Sequence, residues 1–81
     1  MGKKLPALKP SEVIKTLLKA GFYIHHQKGS HVQLKHKKDR TLRVTVPYHS
    51  KFELPRWVIK SILKQAGFTE EDFIKLLRKK K

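Results

Sequence analysis

The sequence contains no cysteine, which excludes disulfide bonds, thiolate zinc sites and cysteine nucleophiles. Acidic residues are also scarce: six Asp and Glu stand against 20 Lys and Arg, and the formal net charge is +14. No apolar run approaches the ~20 residues that span a bilayer, and the first nine residues do not have the pattern of a signal peptide. We therefore expect a cytoplasmic protein whose partner is polyanionic, with nucleic acid the first candidate and an acidic protein the second.

The length of 81 residues suits one small domain. We predict an irregular basic arm over residues 1–9, a single domain over residues 10–77 and a basic tail over residues 78–81. Removing the four basic residues of that tail would still leave the body strongly positive. The positive charge is therefore a property of the folded domain as well as of its ends.

The period of the hydrophobic pattern changes along the chain. Apolar residues recur at helical spacing in three segments that begin near Pro10, Pro55 and Thr69, and the first two segments end at Gly21 and Gly67. Between the first two helices, apolar and polar residues alternate in three short segments, 22–25, 31–35 and 42–46. The order αβββαα predicts an α+β fold in which a three-stranded antiparallel sheet has helices packed on one face.

The register of the first hairpin follows from the rule that cross-strand partners share a face. A three-residue loop over 27–29 satisfies the rule and sets His25 opposite His31. A competing register sets Gln27 opposite His31. A two-residue turn at 28–29 is rejected, because it would place apolar Ile24 opposite a polar residue.

In the second hairpin we expect Leu34 opposite Val44, and His31 then lies opposite the chain near Pro47. This register puts His31 in the middle strand, on the face without helices. We expect its neighbours to be His25 on one side and the segment 47–49 on the other.

The five histidines are the main candidates for chemistry, because no pair of carboxylates has a setting for metal or glycosidase work. His26 and His36 are expected to be solvated surface residues. A zinc site from His25, His31 and His49 is conceivable, but it would lack a carboxylate or cysteine ligand. We therefore predict no metal.

His31 has two interpretations: an exposed strand histidine that only binds phosphate or water, or a group that takes part in catalysis. It follows a turn, Gly29 and Ser30, that lets a nucleic-acid backbone approach closely. Three basic residues suited to phosphate surround it: Lys28, Lys35 and Arg43. Aromatic residues can stack on bases, namely Trp57, Tyr23 and Tyr48. We expect Trp57, however, to be packed or half-buried.

Four short stretches, taken in order, resemble the HicA family, the small toxins of HicA–HicB toxin–antitoxin systems. They are Ala20-Gly21-Phe22, Gly29-Ser30-His31, Val46-Pro47-Tyr48-His49 and the run from Ile62 to Gly67. The resemblance covers about residues 9 to 77. It implies a double-stranded-RNA-binding-domain type of fold and an endoribonuclease that cleaves messenger RNA without the ribosome. It also implies that His31 is the one catalytic histidine and that a HicB-like antitoxin is the partner; His49 fits a second recurrent position without a known role.

The chain departs from ordinary double-stranded-RNA-binding domains at the start of the second helix, where Pro55, Arg56 and Trp57 replace a lysine-rich segment. Recognition of duplex RNA is therefore not inferred from the fold alone.

We expect RNA to lie on the helix-free face of the sheet, with His31 as general acid or base and no cofactor. Candidates for a second acid–base group are His25, Tyr23 and Lys35. The alternative is a non-catalytic RNA- or DNA-binding module, which positive charge alone would favour. A third class, a partner for an acidic protein, overlaps with the toxin interpretation, since an antitoxin must cover the active face.

Overall fold

The computed structural model describes residue 5 and residues 7–48 and 52–78. Three helices are present in this part of the chain: α1 (Pro10–Lys19), α2 (Arg56–Ala66) and α3 (Glu70–Arg78). Three strands lie between the first two helices: β1 (Phe22–Lys28), β2 (His31–His36) and β3 (Arg43–Pro47). The order αβββαα and the α+β class predicted from the sequence are confirmed.

Helix α1 begins and ends where local chemistry can satisfy its free backbone groups. The backbone N–H of Lys9 donates to Glu12 Oε1 at 2.9 Å, and a proline occupies the first helical position. At the other end Gly21 adopts φ +97°, a conformation that favours glycine. Between these ends Val13 and Leu17 turn into the core, which fixes the side of the sheet that the helix covers.

The strands form one antiparallel sheet in the order β1-β2-β3, so that β2 is central. In the second hairpin Leu34 is the partner of Val44 and His31 is the partner of Pro47. The predicted register of this hairpin is confirmed. It places His31 in the central strand, between β1 and the end of β3.

The first hairpin differs from prediction because β1 contains a β-bulge at His25. Ile24 pairs with Leu34 before the bulge, whereas Lys28 pairs with His31 after it, across a two-residue Gly29-Ser30 turn. The predicted three-residue loop and the pairing of His25 with His31 are wrong, and so is the alternative that paired Gln27 with His31. A β-bulge adds one residue to one strand of a pair, and a prediction from strict alternation of buried and exposed residues does not include that residue.

The bulge changes which side chains of β1 share the helix-free face. After it, Gln27 pairs with Val32, whose side chain is buried under the helices, and Lys28 pairs with exposed His31. Unbroken alternation from Phe22 would have put Lys28 on the helix side. One inserted residue therefore brings Lys28 beside His31.

The core lies between the sheet and the helices and includes two leucines that precede α1. Leu5 and Leu8 are almost fully buried, and the N–H of Leu54 donates to the carbonyl oxygen of Leu8 at 2.7 Å. Burial of each leucine contributes about 1.5–3 kcal/mol. The described part of the expected basic arm is irregular but packs against the domain, which the sequence pattern did not anticipate.

None of the described helices has the length and apolar character that crossing a bilayer requires.

Candidate functional site

The helix-free side of the sheet is a surface of polar and basic side chains, which we call the polar face. All three strands contribute side chains to it. Tyr23 of β1 is the partner of Lys35 in β2, and Lys35 is the partner of Arg43 in β3, so the three side chains share one face. Its members are Tyr23, His25, His26, Lys28, His31, Gln33, Lys35, Arg43 and Thr45. All of them except half-buried Lys35 are exposed.

His31 opens β2 at one end of the polar face, where its Cα partners are Lys28 and Pro47. Its side chain is exposed, and within the described residues no hydrogen bond involves the imidazole. Both ring nitrogens can therefore contact a ligand. The lysine directly across the hairpin makes phosphate the ligand that this position suits best.

The Gly29-Ser30 turn beside His31 is open on its outer side and anchored on its inner side. Gly29 has φ +55°, which two-residue hairpin turns require, and nothing lies within 4 Å of the position a Cβ would take. The carbonyl oxygen of Ser30 accepts a hydrogen bond from the N–H of Tyr48. A nucleic-acid backbone can thus approach a turn whose position is fixed.

A second group of side chains surrounds a depression of about 300 Å³ in the middle of the polar face. Five side chains of the polar face line it: His25, Gln33, Lys35, Arg43 and Thr45. Lys35 also lines a neighbouring depression, together with Tyr23 and Arg40. The two depressions are lined by four basic side chains, which suit the phosphates of a nucleic acid: Lys35, Lys37, Arg40 and Arg43.

The residues predicted for the site thus fall into two groups on one face. Lys28, the Gly29-Ser30 turn and His31 form the group at the end of the sheet; Lys35 and Arg43 belong to the middle group, with His25 and Tyr23 beside them. Gln33, which also lines the middle depression, is two residues from His31 and two from Lys35, about 7 Å along the strand in each direction, and so connects the two groups. Sequence reasoning did not select Gln33, although its place in the alternation of β2 would have shown it.

His49 lies outside the described residues, so its expected position beside His31 stays a prediction. Within the described ranges, no cluster of three His, Asp or Glu side chains has an arrangement that could hold a metal ion.

His36 is a structural residue, which corrects the expectation of a solvated histidine. Its Nε2 lies 3.0 Å from the carbonyl oxygen of Ala20, and its Nδ1 accepts the N–H groups of Lys38 and Asp39, each at 3.1 Å. Because Nδ1 accepts, the ring proton lies on Nε2, which donates to the carbonyl oxygen of Ala20. The ring also packs edge-on against Phe22, with 4.8 Å between the ring centroids. His36 thereby links the end of α1 to the loop between β2 and β3.

The same loop contains Asp39, the one described carboxyl group whose pKa clearly departs from its ordinary value. The side-chain hydroxyl and the backbone N–H of Thr41 both donate to Asp39, and they lower the pKa of that carboxyl from its ordinary value of 3.8. His36 adds a smaller effect in the same direction. Asp39 is fully exposed, and its bonds shape the loop at the far end of the polar face.

Trp57 is exposed, and the expectation that it would be packed or half-buried is wrong. Four other residues of α2 already supply its buried face: Ile59, Ile62, Leu63 and Ala66. The indole in the first turn points away from this apolar face and remains in contact with solvent.

A protein-family model described as HicA toxin of bacterial toxin–antitoxin matches residues 10–68. The matched segment begins with α1, includes the whole sheet with its polar face, and ends after α2. No curated protein matches the chain.

Proposed function

Because the chain belongs to the HicA toxin family of bacterial toxin–antitoxin systems, and its expected partner is a HicB-type antitoxin, we propose that it is an endoribonuclease that cleaves messenger RNA without the ribosome. The observation that supports this proposal best is the setting of His31. Its imidazole is exposed, makes no hydrogen bond within the described residues, and lies across the hairpin from Lys28.

RNA carries its own nucleophile in the 2′-hydroxyl, so cleavage needs neither a nucleophile from the protein nor a metal. His31 acts as general base on that hydroxyl or as general acid on the leaving oxygen, a role that typically contributes 10²–10⁴-fold in rate. Lys28, its cross-strand partner, binds the phosphate and stabilises the negative charge that develops there. We expect the second acid–base group to be Tyr23, His25 or Lys35.

The remaining residues of the site hold the strand. Lys35 and Arg43 bind phosphates along the depression in the middle of the polar face, and Gly29 and Ser30 allow the backbone close to His31. Silencing requires the antitoxin to cover this surface. We expect it to present carboxylates to these cations and to bury His31.

The non-catalytic alternative, an RNA- or DNA-binding module, is favoured by the net charge of +14 and needs no active group. Two substitutions at one position separate it from the ribonuclease. His31→Ala removes both phosphate binding and proton transfer, whereas His31→Arg keeps a phosphate ligand that does not release its proton near neutral pH. If His31 is catalytic, both variants lose cleavage, and His31→Arg still binds RNA.

The measurement is cleavage of a single-stranded RNA by purified protein at saturating RNA, together with growth after induced expression. Lys75→Ala on α3, an exposed position in the helical layer, serves as the matched surface control and should cleave normally. Circular dichroism establishes that each variant is folded. Full cleavage by folded His31→Ala, or no cleavage by the wild type, would refute the proposal.

A further inference from the structure

Trp57 and Phe52 are the most exposed large hydrophobic side chains of the described residues, at 73% and 70% of their surface. Neither contributes to the core, because the buried side of α2 is complete without them. Two exposed aromatic rings, one in the first turn of a helix and one four residues ahead of that helix, leave apolar surface in water at a cost. Aromatic side chains are enriched at binding surfaces, so each ring is a candidate for contact with a partner.

Trp57 lies at one end of a basic row on α2, which we call the α2 stripe. The stripe consists of Arg56, Lys60 and Lys64, which are exposed and spaced four residues apart, so that they follow one side of the helix. The Nζ atom of Lys60 lies 3.8 Å from Oε2 of Glu70. Both side chains are about half exposed, and an ion pair in such a setting is weak. In the described part of the chain Arg56 and Lys64 make no ion pair. The stripe therefore retains its positive charge.

Helix α2 meets the edge of the sheet along the row of Trp57, Ser61 and Gln65, which are spaced four residues apart. Gln65, next to Lys64, accepts the outward N–H of Thr45 at 3.1 Å through its Oε1. This bond attaches α2 to the edge of β3, whose Arg43 and Thr45 side chains belong to the polar face. A strand that leaves the polar face across β3 would meet the row that contains Trp57 first and the α2 stripe after it.

This combination of groups selects a particular ligand. Cations spaced along a surface bind successive phosphates, and exposed aromatic rings stack on bases of any sequence. In a duplex the base faces are hidden in the stack, so only an unpaired strand offers them. A protein partner can also bury a tryptophan, but the three cations of the stripe favour a polyanion.

We propose that the α2 stripe, with Trp57, is a second binding surface for single-stranded RNA, and that Trp57 stacks on an unpaired base. The inference rests on the proposed ribonuclease function, which places the RNA on the polar face. It adds that the substrate must be unpaired for some nucleotides beyond the point of cleavage.

Trp57 is the only tryptophan of the chain, so its fluorescence reports on this surface alone. The His31→Ala variant, which should not cleave, is titrated with a single-stranded oligouridine, with an RNA duplex of equal length and with inorganic polyphosphate. Stacking predicts quenching by oligouridine and little by the duplex or by polyphosphate, which has charge but no bases. Equal quenching by oligouridine and polyphosphate would overturn the proposal.

Affinity supplies a second measurement in the same background. Trp57→Ala should weaken oligouridine binding by about 5- to 150-fold, the usual worth of one stacked base, and Trp57→Phe should retain most of the affinity. Polyphosphate binding should not change. Leu18→Ala, at a half-exposed apolar position of α1, is the matched control and should bind oligouridine normally. Unchanged oligouridine affinity of Trp57→Ala would overturn the proposal.

The two proposals fail separately. Wild-type protein that binds RNA through Trp57 without cleaving it refutes the ribonuclease function alone. Protein that cleaves RNA while Trp57→Ala binds as tightly as the parent refutes only the second surface.

Discussion

Lys28 and His31 are cross-strand partners at the end of the first hairpin, separated along the chain by a turn of only two residues. Partners of this kind have their Cβ atoms about 5 Å apart on one face of a sheet. A phosphate bound by the ammonium group would therefore lie within reach of the imidazole. Both the position and the charge of Lys28 are open to test.

Lys28→Ala should weaken RNA binding and reduce its dependence on salt. Each phosphate neutralised on a single strand contributes about −0.7 to the slope of log affinity against log salt, so the variant should lose about that amount. Titrations in the His31→Ala background avoid cleavage, and Lys75→Ala on α3 should keep the parental slope. An unchanged slope would show that Lys28 does not contact a phosphate.

His36→Ala should destabilise the fold, unlike His31→Ala. Removal of His36 leaves the carbonyl of Ala20 and two N–H groups without partners and opens a gap beside Phe22, for a cost of about 1–3 kcal/mol. His31 is exposed without a partner among the described residues, and its removal should stay within about 0.5 kcal/mol. Urea unfolding followed by circular dichroism measures both. Similar losses for the two variants would contradict these assignments.

Because of Asp39, the free energy of unfolding should depend on pH in the acid range. Its pKa is lowered in the folded protein by the hydrogen bonds from Thr41, so its stabilising contribution is complete well above pH 3.8 and is lost as the pH falls below that value. Thr41→Val removes the side-chain bond, which has the largest effect. An NMR titration of the Asp39 carboxyl carbon should show the midpoint moving up toward 3.8 in this variant. A midpoint that does not move would assign the shift to another cause.

Two glycines with positive φ should respond differently to alanine. At Gly21 a Cβ would lie 3.0 Å from Nε2 of His36, in addition to the strain of φ +97°, which itself costs about 1–3 kcal/mol. At Gly29 the space is open, so only the backbone penalty of about 1–2 kcal/mol remains, and Gly29→Asn should recover much of it. Urea unfolding should rank Gly21→Ala as the less stable variant. The reverse order would mean that His36 does not confine this turn.

The sequence pattern predicted the second hairpin correctly because β2 and β3 both alternate between buried and exposed residues. A shift by one residue would have moved Val44 and Val46 out of the core. Strand β1 lacks this restraint: only Phe22 is buried, and Ile24 is about half exposed although it lies on the helix side. A strand with so few buried residues can accept a bulge at little cost, and apolar periodicity does not reveal it.

The residues of the candidate site could largely be predicted from the sequence, but their arrangement could be predicted only in part. His31, Lys35 and Arg43 alternate with buried residues, so their shared face followed from the period of two. Lys28 was expected inside a loop and instead ends a strand, because the bulge at His25 shortens the turn. Helical periodicity places Trp57 opposite the buried face of α2, since Lys60 and Ser61 on the same side are polar; the prediction of a packed indole was wrong because it followed the apolar character of the side chain instead.

The bulge at His25 also affects how two copies of the chain can meet. Strand β1 is an outer strand, and outer strands invite pairing with another molecule. His25 interrupts it in the middle and leaves three residues on each side, 22–24 and 26–28, fewer than the five or six of an ordinary strand. On the opposite side, Gln65 already occupies the N–H of Thr45. The irregularity that brings Lys28 beside His31 therefore also makes β1 a poor edge for pairing with a second copy of the chain.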